Sequence, residues 1–233
     1  MLVLEQLNDK IVTFERRYGR TPGSILLVGV SKGQSLQAIE VLYEAGQKNF
    51  AENYVQEALP KIEQAKHQGL QIVWHFIGKP QTNKLKAIAN HFDWVQTLDS
   101  ITHAKLLNQH RPKEFPPLNC CIQISVKEGK SLMKEELQDL ESFAVAITQF
   151  ERLSLRGMMC MIPATSEFDQ QKRYFDVCRE AYEHLKQTLP FLDTLSMGMS
   201  ADFEAAIASG ATLLRIGTAL FGPRQIKSFK VDR

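Results

Sequence analysis

The chain has 233 residues, 44% apolar, 9% aromatic and 23% charged, with 13 Gly and 9 Pro. This composition excludes collagen, coiled-coil rods and disordered tails, and the length suits one domain expected to span 1–233. Lys+Arg 28 against Asp+Glu 26 leave a formal charge of +2, too balanced for a surface that neutralises a phosphate backbone, so no nucleic-acid partner is expected.

Leu4, Leu7, Ile11 and Phe14 recur at helical spacing until Gly19-Arg20-Thr21-Pro22-Gly23 breaks the pattern, which predicts an amphipathic helix at the start. Ile25 to Val30 is then a continuous apolar run of strand length. It lacks the polar alternation of a sheet with one wet face and reads as a buried parallel strand. Leu36, Ile39, Leu42 and Tyr43 mark a helix that Gly46 ends, and a short strand at Asn49 to Ala51 leads to a helix from Val55 to Ala65.

The unit repeats as strand Ile72 to Ile77, helix Asn83 to Asn90, strand Trp94 to Thr97 and helix Ile101 to Gln109, capped by Asp99 or Ser100. Cys120 to Val126 is the next strand, and Met133, Leu137, Leu140, Ala144 and Ile147 carry a helix after it. Leu153 to Cys160 precedes a helix bearing Tyr174, Val177, Cys178, Ala181 and Leu185. Thr194 to Met197 and Thr212 to Ile216 are the last strands, separated by a helix from Asp202 to Ser209.

About eight strands, each followed by a helix or the chain's end, predict an α/β fold: a single (β/α)8 TIM-type barrel preceded by an N-terminal helix. A doubly wound open sheet would use the same unit. It commonly has fewer strands and often a Gly-rich turn after the first, where this chain has Val30-Ser31-Lys32-Gly33-Gln34. The four cysteines, Cys120, Cys121, Cys160 and Cys178, form no C-x-x-C pair and read as small buried hydrophobes, with Cys120 and Cys121 on opposite faces of a strand. No metal site is expected. Neither a basic leader nor a long apolar run is found, so the expected location is cytoplasmic.

In such a barrel the chemistry sits where strands end. Lys32 directly follows the first strand. Rooted at an apolar mouth, its amine is either partly desolvated and suited to imine formation with a carbonyl, or it snorkels into the loop. The loops after strands seven and eight, Met197 to Asp202 and Arg215 to Gly222, occupy the position of a recurrent phosphate site. Gly198 and Gly217 permit close backbone approach, Ser200 and Thr218 offer hydroxyls, and a helix beginning near Ala201 presents N–H groups. The competing reading is an ordinary N-cap and ordinary turns.

Arg215 lies within Leu213-Leu214-Arg215-Ile216, where an inward guanidinium needs a specific partner and an outward one would cap a helix. Asn53 follows the second strand, and His75 lies in Trp74-His75-Phe76-Ile77-Gly78 as either a core residue or a site residue. A lysine facing a phosphate cradle across one mouth implies a phosphorylated aldehyde, a description that pyridoxal 5′-phosphate (PLP) fits.

At these residues the sequence resembles the pyridoxal phosphate homeostasis proteins, barrels related to the N-terminal domain of alanine racemase. The resemblance covers nearly the whole chain. It is carried by Val28-Gly29-Val30-Ser31-Lys32, Phe50 to Glu57, Trp74 to Gly78 with Gln81-Thr82-Asn83-Lys84, Leu195 to Asp202, and Arg215-Ile216-Gly217-Thr218. It implies that Lys32 carries the cofactor as an imine, that Ser200, Gly217 and Thr218 hold its phosphate, and that Arg215 faces the pyridine nitrogen. Asn53, His75 and Met199 complete the expected cofactor-binding set, and no residue is expected to be catalytic. Departures are Ala51 where the family usually has Gly, Pro80 where it usually has Leu, and Gly33-Gln34-Ser35 in place of a more usual Thr-Lys-Pro.

The function this implies is reversible PLP binding in intracellular homeostasis, with PLP-dependent apoenzymes as candidate recipients, no membrane partner and a monomeric state. The alternative is a PLP-dependent amino-acid racemase. Racemisation by two bases needs a second acid/base, which the related racemases take from a partner's C-terminal domain, and the chain ends at Arg233 without one. A third reading is a barrel enzyme for sugar or other organic phosphates with Lys32 as a Schiff-base residue.

Overall fold

In the computed structural model, which describes residues 2–126 and 131–222, the alternation of strand and helix closes on itself. The elements run α1 (Leu2–Arg17), β1 (Leu26–Val30), α2 (Leu36–Glu44), β2 (Asn49–Glu52), α3 (Val55–His67), β3 (Val73–Phe76), α4 (Leu85–His91), β4 (Trp94–Leu98) and α5 (Ile101–His110). They continue as β5 (Leu118–Ser125), α6 (Lys134–Ile147), β6 (Leu153–Met161), α7 (Phe168–Thr188), β7 (Thr194–Ser196), α8 (Phe203–Ala208), β8 (Leu213–Ile216) and α9 (Thr218–Phe221). Among the described residues eight parallel strands pair in chain order, and β8 pairs with β1 to close the barrel. The open sheet is thereby excluded.

Period-2 alternation divides the strand residues between two cores. Outward residues such as Leu27, Phe50, Phe76, Val95 and Leu214 join the large cluster beneath the helices. Inward residues form two small clusters inside the barrel, Val28 with Ala51 and Leu213, and Trp94 with Cys121 and Met159. Cys120 and Cys121 fall on opposite sides of this division, and all four cysteines are buried and unpaired. Burial pushes the Cys120 thiol up to about 12 and likewise raises Cys121 and Cys160 above the ordinary thiol value, which disfavours the thiolates that metal ligation or nucleophilic attack requires.

The opening helix is tied to the barrel by one buried carboxylate. Glu15 accepts hydrogen bonds from the Gly23 N–H, the Ser24 hydroxyl and the Ile25 N–H, so the turn after α1 delivers the chain directly into β1. Local boundaries differ slightly from the sequence reading. The helix expected from Asn83 opens as a 3-10 turn, Thr82–Lys84, a common way for an α-helix to start. Ser100 caps α5 by accepting from the His103 N–H, while Asp99 instead pairs with the His103 ring at 2.7 Å. Among the described residues no helix is long and apolar enough to cross a membrane, and no group of three or more His, Cys, Asp or Glu residues could hold a metal ion.

Candidate functional site

The first and last strands bring the two halves of the expected site together. Val28 and Arg215 are register partners, so residues at the ends of β1 and β8 open onto one region of the barrel mouth. There a cavity of about 220 Å³ is lined by Lys32, Met199, Ser200, Arg215, Gly217 and Thr218, among others. Six of the eight sequence-predicted residues therefore share one cavity. In that lining, among the described residues, Lys32 and Arg215 are the ionisable side chains.

Two devices shape the turn that carries Lys32. Gly33 adopts φ +75°, a conformation that side chains rarely accept, and Ser35 caps α2 by accepting from the Ala38 N–H. The departure Gly33-Gln34-Ser35 thus supplies its own turn residue and its own cap, and Gln34 between them lines the cavity. The second device is Lys61 on α3, which sequence reading missed. Its ammonium donates to the Ser31 carbonyl at 3.0 Å, to Glu52 at 2.8 Å and to Glu57 at 2.7 Å. Ser31 also donates its hydroxyl to Glu52, and the Gly33 N–H donates to Glu57. Both neighbours of Lys32 are therefore anchored to one buried ion cluster. Burial raises the Glu52 carboxyl above its ordinary value, against the opposing pull of Lys61 and Ser31, and its Oε2 has no hydrogen-bond partner.

On the opposite side, Ser200 and Thr218 come from the two loops named in the sequence. Ser200 Oγ accepts from the Ala219 N–H at 3.1 Å, joining the β7 loop to the first turn of α9. The helix expected near Ala201 begins only at Phe203, and Asp202 turns its carboxylate back onto the Met199 N–H. The N–H groups beside this cavity consequently belong to the start of α9 more than to α8. Gly198 has a different role from the one expected. It sits at φ +96°, and a Cβ there would lie 2.6 Å from Ala206 and 2.8 Å from Leu214. Close packing of α8 on β8 requires the glycine.

Arg215 points inward and is 4% exposed, with Nη1 donating to the Ser196 hydroxyl at 2.6 Å and Nη2 to the Cys160 carbonyl at 3.0 Å. Burial lowers its pKa from the usual guanidinium value, an effect the Asp202 carboxylate opposes. Asn53 lies elsewhere, in a neighbouring cavity of about 370 Å³ with Lys79, Asp99, Gln123 and Ser125, and its buried Oδ1 has no partner. His75 lines neither cavity. It is fully buried in the barrel, stacked on Trp94 with ring centroids 5.2 Å apart and hydrogen-bonded to Asn49 and Gln96.

Burial pulls the His75 pKa down from 6.5 to about 3. A folded-state pKa below the unfolded one means that the unfolded chain binds the extra proton first, so stability falls as pH drops from about 6.5 toward 3. Between pH 7 and pH 5 this residue should cost about 2 kcal/mol. Urea unfolding at both pH values, for wild type and His75→Gln, checks the expectation. The same pH dependence in both proteins would rule His75 out as the source.

Residues 4–225 match the family described as "Alanine racemase, N-terminal domain". The alanine racemase of Clostridium difficile 630 shares the fold, with a TM-score of 0.67 at 12% identity over 91% of this chain and 56% of its own. These matches define a barrel of the alanine racemase N-terminal class. A protein of Escherichia coli (strain K12) named pyridoxal phosphate homeostasis protein is 45% identical over 225 residues, 95% of either chain. PipY of Synechococcus elongatus PCC7942, solved with PLP bound, is 32% identical with a TM-score of 0.78, covering 91% of this chain and 100% of that one. The chain belongs to the pyridoxal phosphate homeostasis protein family.

Proposed function

We propose that this protein binds PLP reversibly in the Lys32 cavity and acts in PLP homeostasis as a non-catalytic carrier. The observation that carries the reading is the meeting of Lys32, Arg215, Ser200 and Thr218 around one cavity, together with a relative of the same fold solved with PLP bound. The residues present fit the group: an amine on one wall, two hydroxyls beside the start of a helix on the other, and a buried guanidinium between barrel and mouth. When bound, PLP supplies an aldehyde and an electron-withdrawing ring.

Lys32 would bond the aldehyde, Ser200, Gly217 and Thr218 would hold the phosphate, and Arg215 would meet the ring nitrogen. Met199 would cover one edge, Asn53 would face the group from the neighbouring cavity, and His75 would act from behind Arg215. A guanidinium donates hydrogen bonds and accepts none, so Arg215 disfavours a proton on a nitrogen beside it.

Two observations favour the carrier over the racemase. In the described lining, Lys32 and Arg215 are the ionisable side chains, and a two-base racemisation needs a second acid/base opposite the lysine that a permanently charged guanidinium does not supply. The chain is also 45% identical to the E. coli protein named pyridoxal phosphate homeostasis protein, over 95% of either chain. PLP-dependent apoenzymes remain the natural recipients of a reversibly held cofactor.

The experiment is a visible spectrum of the purified protein with added PLP, before and after borohydride, followed by peptide mapping of the reduced adduct. The adduct should lie on Lys32, and finding it on another lysine overturns the assignment. For the phosphate, each charge-assisted hydrogen bond contributes roughly 1.5 to 3 kcal/mol. Replacing Ser200 and Thr218 together by Ala should weaken PLP retention by more than about tenfold. Unchanged affinity in the folded double variant would put the phosphate elsewhere.

A further inference from the structure

Arg215 begins a chain of hydrogen bonds that crosses the barrel interior. Its Nη1 donates to Ser196 Oγ at 2.6 Å, and Ser196 in turn lies 2.6 Å from Gln96 Oε1. Gln96 Nε2 lies 2.9 Å from His75 Nδ1, and His75 Nε2 lies 3.1 Å from Asn49 Oδ1. Ser196, Gln96 and His75 are fully buried. Because β4 and β7 are not neighbours, the bond from Ser196 to Gln96 spans the barrel and does not follow a ladder.

The direction of every bond follows from the first. A guanidinium only donates, so the Ser196 oxygen accepts and its single hydrogen goes to Gln96 Oε1. That turns the Gln96 amide nitrogen toward His75, whose Nδ1 must then be the bare nitrogen and whose Nε2 carries the hydrogen offered to Asn49. All donors point away from Arg215. Such a chain is polarised in one sense, each bond reinforcing the next. An amide in its middle passes no proton, so it is suited to holding a group and unsuited to conducting charge.

A barrel gains little by filling its interior with a polar chain, since apolar side chains of similar volume serve stability as well. Of the five members, Arg215 is the one that lines the Lys32 cavity. We infer that Gln96, with His75 behind it, is a positioning residue that holds the Arg215 guanidinium against the cofactor cavity through Ser196. The inference concerns how Arg215 is held; what Arg215 is held against rests on the proposed PLP site.

The test uses the full chain and two kinds of readout. In ¹⁵N NMR of the protein without added cofactor, His75 should show a hydrogen on Nε2 and a bare Nδ1 at neutral pH, and the Arg215 Nη groups should give separate, slowly averaging signals. In Gln96→Met, which matches the length of glutamine without its polar atoms, those Arg215 signals should merge. With PLP added, the same variant should still give the borohydride adduct on Lys32, but with a shifted visible maximum and about tenfold weaker retention.

Finding His75 as the Nδ1–H form or as imidazolium in wild type overturns the inference. So does a folded Gln96→Met variant whose Arg215 signals and PLP spectrum both match wild type. If Gln96→Met does not fold, Gln96→Glu serves: its carboxylate must recruit a hydrogen on His75 Nδ1, so His75 should change form and titrate nearer neutral pH, and an unchanged His75 overturns the chain. Failure of wild type to bind PLP would strike the proposed function and leave the NMR readouts standing.

Discussion

Lys32→Ala is expected to abolish the borohydride-reducible visible chromophore completely, because the bond to the aldehyde needs an amine at that position. Lys79 and Lys84 lie near the same end of the barrel, but neither lines the Lys32 cavity. The variant should fold, since Lys32 is half-buried and the turn around it is fixed by Ser31, Gly33 and Ser35. Residual PLP held by the phosphate contacts alone should give the spectrum of a free aldehyde that borohydride does not trap on protein. A full chromophore in Lys32→Ala would end the assignment. The same pair of proteins decides between carrier and racemase: steady multiple-turnover exchange of the α-proton of alanine, present in wild type and lost in Lys32→Ala, would restore the enzyme reading.

The second large effect is expected at Lys61, a buried residue of α3. Its side chain is 10% exposed and pairs with Glu52, which is fully buried, and with Glu57. Removing one partner of a buried pair leaves an uncompensated charge and costs about 3 to 5 kcal/mol, so Lys61→Met should lower the free energy of unfolding by that amount. The direction of the pH effect follows from Glu52, whose folded-state pKa is raised by burial. A raised carboxyl pKa favours the folded state while the group is protonated, and the benefit is lost as pH rises through the folded value. The deficit of Lys61→Met should accordingly be small near pH 4 and grow toward pH 7. Adding Glu52→Gln to the variant removes the stranded charge and should recover most of the loss. A single-variant cost below about 1 kcal/mol, or no recovery in the double variant, would show that the cluster is not a tight buried pair. The consequence for the site is separate from stability: with the Ser31 carbonyl without its donor and Glu52 and Glu57 no longer bridged, trapping of PLP on Lys32 should slow even where the variant is folded.

The order of strands and helices was legible because it depends on local apolar periodicity. A continuous run such as Ile25 to Val30 is typical of a strand buried on both faces of a parallel sheet, and about eight strands alternating with helices favour a closed barrel. The cavity residues were legible for a related reason: strand ends are positions in the sequence, so Lys32, Ser200, Arg215, Gly217 and Thr218 could be placed at one mouth before any geometry was available. Other features depend on which residues from distant strands share the interior. His75 and Arg215 each look like a lone polar residue in an apolar strand, while Asn49, Gln96 and Ser196 share short strands with other polar residues. A hint was present, since each occupies an inward position of its own strand, but only closure of the barrel sets Ser196 against Gln96. Lys61 is similar. Its helical position gives no sign that Ser31 and Glu52 lie within reach, and the sequence cannot say whether Asn53 opens onto the Lys32 cavity or the one beside it. Local period and strand-end position thus determined the fold and most of the cavity wall from sequence alone. Which polar groups pair within the barrel was decided only by the tertiary structure, because a hydrogen bond over about 3 Å depends on register and closure across strands far apart in the chain.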